Sequence, residues 1–392
     1  IATLVPLEDG TVTHDGISSW KYIRSASVDA IPTRPGNKRR AFDPAKDLDN
    51  QTLRNVFKFT TVLQGGFDGL NIFNEDSAKM NNTSATEEMN NTNRGLENGP
   101  TVAGHRKAIA IMENTADVDI KLLAIPGIRN AAITDEAIEA VKNRFDALYI
   151  MDIENYDNAN ILITSSLQTH NVGNTVKSFK NRALDTSFSA CYYPDVMYDA
   201  ADGEGEKQLP ASVGALGAYS YNDRVGFEWF APAGLSRGII QNATLPTVKL
   251  SKKNQDDLYE SDVNPIISMP GRKVFINGQK TLQVKNSSLD RVNVRRLLIF
   301  IRRQVREIAN TLLFEPNRDS TLQRFSTAVE PVLSTVQSQA GLERYQVRID
   351  TTTTTQADVL NNTIRGKIFV QPTRTAEFIS LDFEIQNPGT IK

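Results

Sequence analysis

A chain of 392 residues with 40% apolar composition is long enough for more than one hydrophobic core, because single cores stop growing near about 250–300 residues. Its 44 basic and 46 acidic residues leave a net charge of −2, so no global field draws in DNA, RNA or an anionic membrane surface. The single cysteine, Cys191, excludes an internal disulfide framework and argues against a cysteine-built metal site, and no stretch approaches the ~20 consecutive apolar residues of a membrane-spanning helix.

Residues 1–45 mix short apolar runs with Pro, Gly and the basic cluster Lys38, Arg39, Arg40, which predicts a peripheral segment of irregular or short-strand structure. The run VFKFTTVLQGGFDGLNIF, 56–73, predicts a strand before Gly65-Gly66 and a tight turn at Asp68-Gly69. The polar tract NNTSATEEMNNTNRG, 81–95, reads as a solvated loop. VDIKLLAIPG, 118–127, then predicts a strand, TDEAIEAVKNRF a helix with Thr134 as N-cap, and ALYIMDI a second strand. A strand, helix, strand order with near-continuous apolar strands marks a parallel sheet covered on both faces, and an α/β domain is placed over 46–262.

The last third has a different pattern. KVFINGQKTLQV, 273–284, predicts a hairpin about Asn277-Gly278. Asp290 is read as the cap of a long helix whose residues Val294, Leu297, Leu298, Ile301, Val305, Ile308 and Leu312 form one apolar stripe. Arg295, Arg296, Arg302, Arg303 and Arg306 lie on the other side. A second helix over 319–338 ends at Gly341, and strands follow at 343–350, 364–371 and 376–386. In the last of these Ile379, Leu381, Phe383 and Ile385 alternate with Ser380, Asp382 and Glu384, so one face is buried and one is wet. Two helices on a small sheet make an α+β domain over 263–392, with the apolar stripe packed on that sheet.

The stretch GLSRG, 234–238, fits the G-x-S-x-G pattern of a hydrolase nucleophile elbow. That motif needs a helix after the serine and a histidine later in the chain. His14, His105 and His170 all precede Ser236, so that order is excluded. A triad in the order Asp152, His170, Ser236 stays formally open, and the plainer reading is a turn whose glycines take positive φ or let backbones approach. GGFDG at 65–69 lacks the Lys-Ser/Thr of a phosphate loop and reads as a turn. The acidic pairs Asp117/Asp119 and Asp152/Glu154 could hold a hard cation but sit at strand edges, where acids are ordinarily solvated. His105 has no partner His or Cys, and Cys191 beside Tyr192 and Tyr193 reads as a small buried residue. The arginine-rich helix is a solvated face, a nucleic-acid surface without a docking motif, or a partner for carboxylates on neighbouring subunits.

The runs EWFAPAGLSRGII, VNPIISMPGRKVFINGQKTL, DRVNVRRLLIFIRRQV, LFEPN and GKIFVQPTRTAEFISLDFEI together resemble the contractile tail sheath proteins of T4-like and larger bacteriophages. LQGGFDG and LLAIPG extend the resemblance over roughly 50–387. It implies a central subtilisin-like α/β layer without a catalytic triad, followed by the α+β assembly domain, and makes Gly234, Ser236 and Gly238 a structural turn. The implied function is mechanical: subunits polymerise around a tail tube in an extended state and contract to drive it through the host envelope. No enzyme activity, cofactor or metal is implied. The implied partners are other sheath subunits, the tail tube, baseplate and tail terminator, with no direct nucleic acid and no membrane insertion, in the virion tail after assembly in the host cytoplasm. Arg302, Arg303 and Arg306, with Ile379, Leu381 and Phe383 of the last strand, are the expected assembly contacts. Other contractile injection machines are the alternative setting, and a serine hydrolase using Ser236 the remote one. Against that family the chain reads as a fragment lacking an N-terminal arm, expected to be monomeric by itself.

Overall fold

The structure is a computed structural model that describes residues 3–6, 20–23, 40–41, 80–90, 99–163, 168–199, 205–349 except 270, 272 and 317, and 363–375, with single positions at 353, 358, 361 and 377. The chain divides into two units, residues 1–80 with 92–94 and residues 81–91 with 95–392. The expected boundary at 45/46 therefore falls inside the first unit. In that unit β1 (Thr3–Pro6), β2 (Trp20–Ile23) and β3 (Arg40–Ala41) form an antiparallel sheet in the order β2-β1-β3. The 56–73 segment and its GGFDG turn lie outside the described residues.

The second unit is built on a five-stranded sheet. β4 (Leu122–Ala124), β5 (Leu148–Asp152), β6 (Ser189–Tyr193) and β10 (Val263–Ser268) run parallel, and β11 (Val274–Ile276) closes one edge antiparallel, in the order β11-β10-β6-β5-β4. Their continuous apolar runs follow from burial on both faces. Tyr149, Met151, Cys191 and Tyr193 point into one core, while Leu148, Ile150, Ala190 and Tyr192 point into the other. The first core is covered by α2 (Pro100–Glu113), α3 (Ala131–Arg144), α4 (Val172–Asn181) and α7 (Lys252–Glu260). The second is covered by α5 (Ala211–Val225), whose Ala211, Ala215, Ala218 and Tyr219 recur at helical spacing. A smaller antiparallel sheet, order β8-β7-β9, joins Val196–Asp199, Glu206–Leu209 and Ala243–Pro246, which are β7, β8 and β9.

The C-terminal part is a helical hairpin, α8 (Val292–Thr311) and α9 (Asp319–Ser338), beside the antiparallel pair β12 (Leu342–Arg348) and β13 (Lys367–Pro372). Leu297, Ile301, Val329, Leu333, Val336 and Leu342 form a third core with Trp229. The α8 stripe packs against α9, and α9 covers β12, so the helix is one layer further from the sheet than the stripe alone suggested.

Several expectations are corrected. The polar tract at 81–95 contains a helix, α1 (Asn82–Asn90), because its polar residues have long-range partners. Asn81 Oδ1 accepts from Ser84 N–H at 2.9 Å, and Asn82 Oδ1 accepts from Arg129 and Asn130 N–H at 2.7 and 2.9 Å. The buried Glu88 carboxylate accepts from Thr101 N–H at 2.9 Å and Val102 N–H at 3.1 Å, capping α2, whose N-cap residue Gly99 has no side chain to do so. Asn130, not Thr134, caps α3; Thr134 lies inside the first turn, its hydroxyl donating to Asn130 O at 3.1 Å. Asp290 belongs to a 3₁₀ turn, Ser288–Asp290, capped by Ser287, and Arg291 holds the N-cap position of α8 without a side-chain cap. Residues 273–284 do not fold back on themselves. β11 pairs with β10, Lys280 bridges to Arg291, and Leu282 bridges to Thr186, because at the edge of the α/β sheet Val274, Phe275 and Ile276 are all buried. The expected domain boundary at 262/263 therefore falls within the sheet.

Candidate functional site

GLSRG forms the single helical turn α6 (Gly234–Arg237). Gly234 has φ +77°, a left-handed conformation that glycine adopts without steric cost. Gly238 N–H donates to Gly234 O at 2.9 Å, and a Cβ at Gly238 would stand 2.6 Å from the Ala233 backbone. Ile276 N–H donates to Gly238 O at 2.9 Å and Ile240 N–H to Val274 O at 3.0 Å, so the turn is pinned along β11. Ser236 is exposed and lines a cleft of about 540 Å³ with Lys252, Asp256, Tyr259 and Glu377; no histidine lines it among the described residues.

The other members of the formal triad are engaged elsewhere. Asp152, at the end of β5, accepts from Ser212 N–H and Ser212 Oγ at 2.7 Å each and from Gly127 N–H at 2.9 Å. Burial pushes its carboxyl pKa up, opposed by the Arg129 guanidinium. Asp195 accepts from Arg129 Nη2 at 2.6 and 2.8 Å and from Ala211 N–H at 3.1 Å. Two carboxylates thus meet the N-terminus of α5, the position where a parallel sheet commonly holds a ligand, and here the chain's own groups occupy it. His170 is half-buried, its pKa lowered by burial. His105 Nδ1 lies 2.8 Å from Thr101 O within α2, Cys191 is fully buried, and Glu154 accepts from the Tyr156 hydroxyl at 2.9 Å. No group of three or more His, Cys, Asp or Glu able to hold a metal ion occurs among the described residues.

The arginine face of α8 has a use that periodicity did not disclose. Arg296 is buried, pairs with Asp223 at 2.5 Å and lies over the Tyr219 ring. Arg295, buried without a carboxylate, bonds Ser187 O at 3.2 Å and the Ser187 hydroxyl, and sits 3.9 Å from the Phe188 ring centroid. Burial lowers its pKa to about 10. Arg303 donates to Ile120 O at 2.9 Å and pairs with Asp119, while Arg306 reaches Asp146 at 3.3 Å, a carboxylate already bound by the buried Arg144 at 2.9 Å. Arg302 is exposed, its guanidinium 5.0 Å from the Phe145 ring. Four of these five guanidinium groups thus have polar partners within the chain, and the fifth, that of Arg302, has an aromatic one. Val292, Arg295, Arg296, Ile299, Arg303 and Arg306 recur at spacings of three and four and form a second stripe toward the α/β layer, with Val292 and Ile299 in its core.

Ile379, Leu381 and Phe383 lie outside the described residues. Just before them, the half-buried Glu377 accepts from Arg291 Nε at 2.6 Å, Gln279 Nε2 at 3.0 Å and the Tyr259 hydroxyl, and Gln279 also reaches Thr375 Oγ1 at 2.6 Å. This clasp, and the Arg129–Asp195 pair, had no sequence signal, since their members are separated by tens of residues.

The second unit has a mixed α/β, sheath-like fold. Residues 284–386 match the family model described as phage tail sheath C-terminal domain. Over part of its length the chain is similar to phage tail sheath proteins. It is 30% identical to the tail sheath protein of Vibrio phage KVP40 over 175 residues, 45% of this chain and 26% of that protein. It is 29% identical to the tail sheath protein of Enterobacteria phage T4 over 196 residues, 47% of this chain and 30% of that one. The chain thus spans less than a third of the length of these relatives. Among solved structures it resembles the sheath complex of the PVC extracellular contractile injection system in the contracted state, with TM-score 0.58 and 23% identity over 71% of this chain and 75% of that one. The baseplate of the anti-feeding prophage gives TM-score 0.57 and 22% identity, over 71% and 72%.

Proposed function

We propose that this chain is a structural subunit of a contractile phage tail sheath. It polymerises with other sheath subunits around the tail tube, is organised by the baseplate and tail terminator, and contracts to drive the tube through the host envelope. Its place is the virion tail, after assembly in the host cytoplasm. One observation carries the reading: the stretch matched to the sheath C-terminal domain coincides with the α8–α9 hairpin and the β12–β13 pair, in a chain whose relatives are sheath proteins. The central parallel layer is read as subtilisin-like in plan, and its role as structural. No histidine among the described residues lines the cleft at Ser236, and Asp152 is bound to Ser212 and Gly127 instead. A serine-directed fluorophosphonate should therefore leave the protein unlabelled.

Arg302, exposed, and Arg306, with 42% of its side chain exposed, remain the arginines offered to a neighbouring subunit. The strand carrying Ile379, Leu381 and Phe383 is the proposed edge through which main-chain hydrogen bonds join subunits. Polar contacts of this kind exchange at little cost, since exposed ion pairs are worth ~0–1 kcal/mol each. A heterologous contact that does not close produces a helical array.

Electron microscopy of the full-length protein expressed with its tail tube partner tests the proposal. Tubes of stacked rings are the expected result. Dispersed subunits at all concentrations with the tube present would overturn it. A second reading, the sheath of another contractile injection system, is favoured by the fold likeness to the PVC sheath complex. Co-assembly with the tube protein of one system and not the other separates the two.

A further inference from the structure

The turn after α8 presents an apolar knob. Leu313 is 62% exposed and Phe314 is wholly exposed, and Phe314 takes φ +67°, where a bulky aromatic residue is a genuine outlier. The turn is held by its own backbone: Leu313 N–H donates to Asn310 O at 3.4 Å, and Glu315 N–H to Leu312 O at 3.2 Å. The ring is thus displayed by a hydrogen-bonded turn, and no apolar group of the described residues covers it. Strain combined with display of a large aromatic side chain is characteristic of a residue that completes its contacts with another molecule.

At the opposite end of the same helical hairpin lies a hollow of about 210 Å³, where the apolar Trp229, Phe230, Leu297 and Pro372 meet the polar Arg237, Asn293, Thr373 and Thr375. A volume of about 150 Å³ already admits a benzene ring, so the hollow has room for one, with its apolar side chains to meet the ring faces. Leu297 marks the hollow end of α8 and Thr311 the knob end. At ~1.5 Å per residue these are about 20 Å apart, so one subunit cannot fill its own hollow. A knob on one end and a fitting hollow on the other make a heterologous contact, which propagates head to tail instead of closing into a pair.

Resting on the sheath reading, we propose that the Leu313–Phe314 knob of one subunit seats in the hollow between Trp229, Leu297 and Pro372 of the next copy of this chain. The aromatic ring is the anchor of a larger interface, in keeping with the concentration of binding energy in buried aromatic residues. The occupant is a second copy and not a different protein, because both features belong to one chain and lie at opposite ends of one packed hairpin.

Intermolecular cross-linking of the full-length protein tests this. Cys191 is fully buried, so it supplies no competing thiol. Leu313→Cys leaves Phe314 in place, and Thr373→Cys puts a thiol at the rim of the hollow; neither site is buried. With a short thiol-to-thiol linker, the double variant should give a ladder of dimers, trimers and higher species, each single variant no more than dimers, and added Phe314→Asp should remove the ladder. Microscopy of the same sample separates the two readings. Sheath tubes without a ladder overturn the knob contact and leave the sheath proposal standing. A ladder without tubes upholds the contact and counts against the sheath. Neither tubes nor ladder overturns both, and exclusive cross-linking of Leu313→Cys to the tube protein assigns the knob to another partner and overturns the contact.

Discussion

Replacing Trp229 with alanine removes the side chain that ties the 227–230 loop to both helices of the C-terminal hairpin. The indole is 6% exposed, stacks on Phe227 with centroids 4.9 Å apart, lies 5.1 Å from Phe300, and donates from Nε1 to Gln339 O at 3.2 Å, at the end of α9. Gly341 approaches so closely that a Cβ there would sit 2.9 Å from the indole, so the pocket is shaped by the ring and cannot collapse freely. Buried Trp→Ala changes cost ~3–5 kcal/mol, combining lost transfer free energy with the cavity left behind. The abandoned Gln339 carbonyl adds to the cost only to the extent that water fails to reach it. For a unit of this size each kcal/mol shifts the midpoint by about 2–4 °C, which places the expected loss at roughly 6–20 °C. Trp229→Phe keeps the stacking and loses the hydrogen bond, about 1 kcal/mol, and should fall near 2–4 °C. Thermal melts followed by circular dichroism read both. An alanine variant melting with the wild type, or phenylalanine costing as much as alanine, refutes the packing argument.

Three further outcomes follow from the geometry. Gly238→Ala forces a Cβ against the Ala233 backbone and should destabilise by ~1–3 kcal/mol, while Gly234→Ala, with open space but φ +77°, should cost only the left-handed strain of ~1–2 kcal/mol; equal stability of Gly238→Ala and wild type in urea unfolding argues against the turn described. Arg303→Glu loses the bond to Ile120 O and faces Asp119, so the monomer should lose ~2 kcal/mol, whereas exposed Arg302→Glu should leave it within ~1 kcal/mol; the reverse ranking sinks the assignment of Arg303 to an intramolecular brace. Asp152 has its folded-state pKa raised by burial, so its contribution is fully present below the unfolded value of about 3.9 and is lost as pH rises through the higher folded value; the stability difference between wild type and Asp152→Asn should shrink with rising pH over that window, and growth of the difference contradicts it.

What sequence alone could decide here was local. Leu148 to Asp152 and Ser189 to Tyr193 contain too few polar residues for a strand with one wet face, so burial on both faces, and hence a parallel sheet under helices, could be read from composition. The order of histidines and Ser236 disposed of the nucleophile elbow without coordinates, because a chain order cannot be altered by folding. The same periodicity that found the apolar stripe of α8 could not say what its arginines meet, since spacing reports a shared face and not the partner across from it. Val292 and Ile299 among those arginines held the available hint that this face is buried too.

Tertiary structure decided the rest through contacts remote in sequence. The Asn-rich tract at 82–90 is a helix because Glu88 finds the unsatisfied N–H groups of Thr101 and Val102 and Asn82 those of Arg129 and Asn130; neither partner is visible within a local window. Val274 to Ile276 pairs back with the preceding strand β10 and not forward across Asn277-Gly278, because in that place it also meets the distant Gly238 and Ile240, which satisfy its remaining N–H and C=O groups while Val274 and Ile276 are buried. Propensity and periodicity describe what a segment can do, and the choice among partners belongs to the long-range contacts that bury its polar groups.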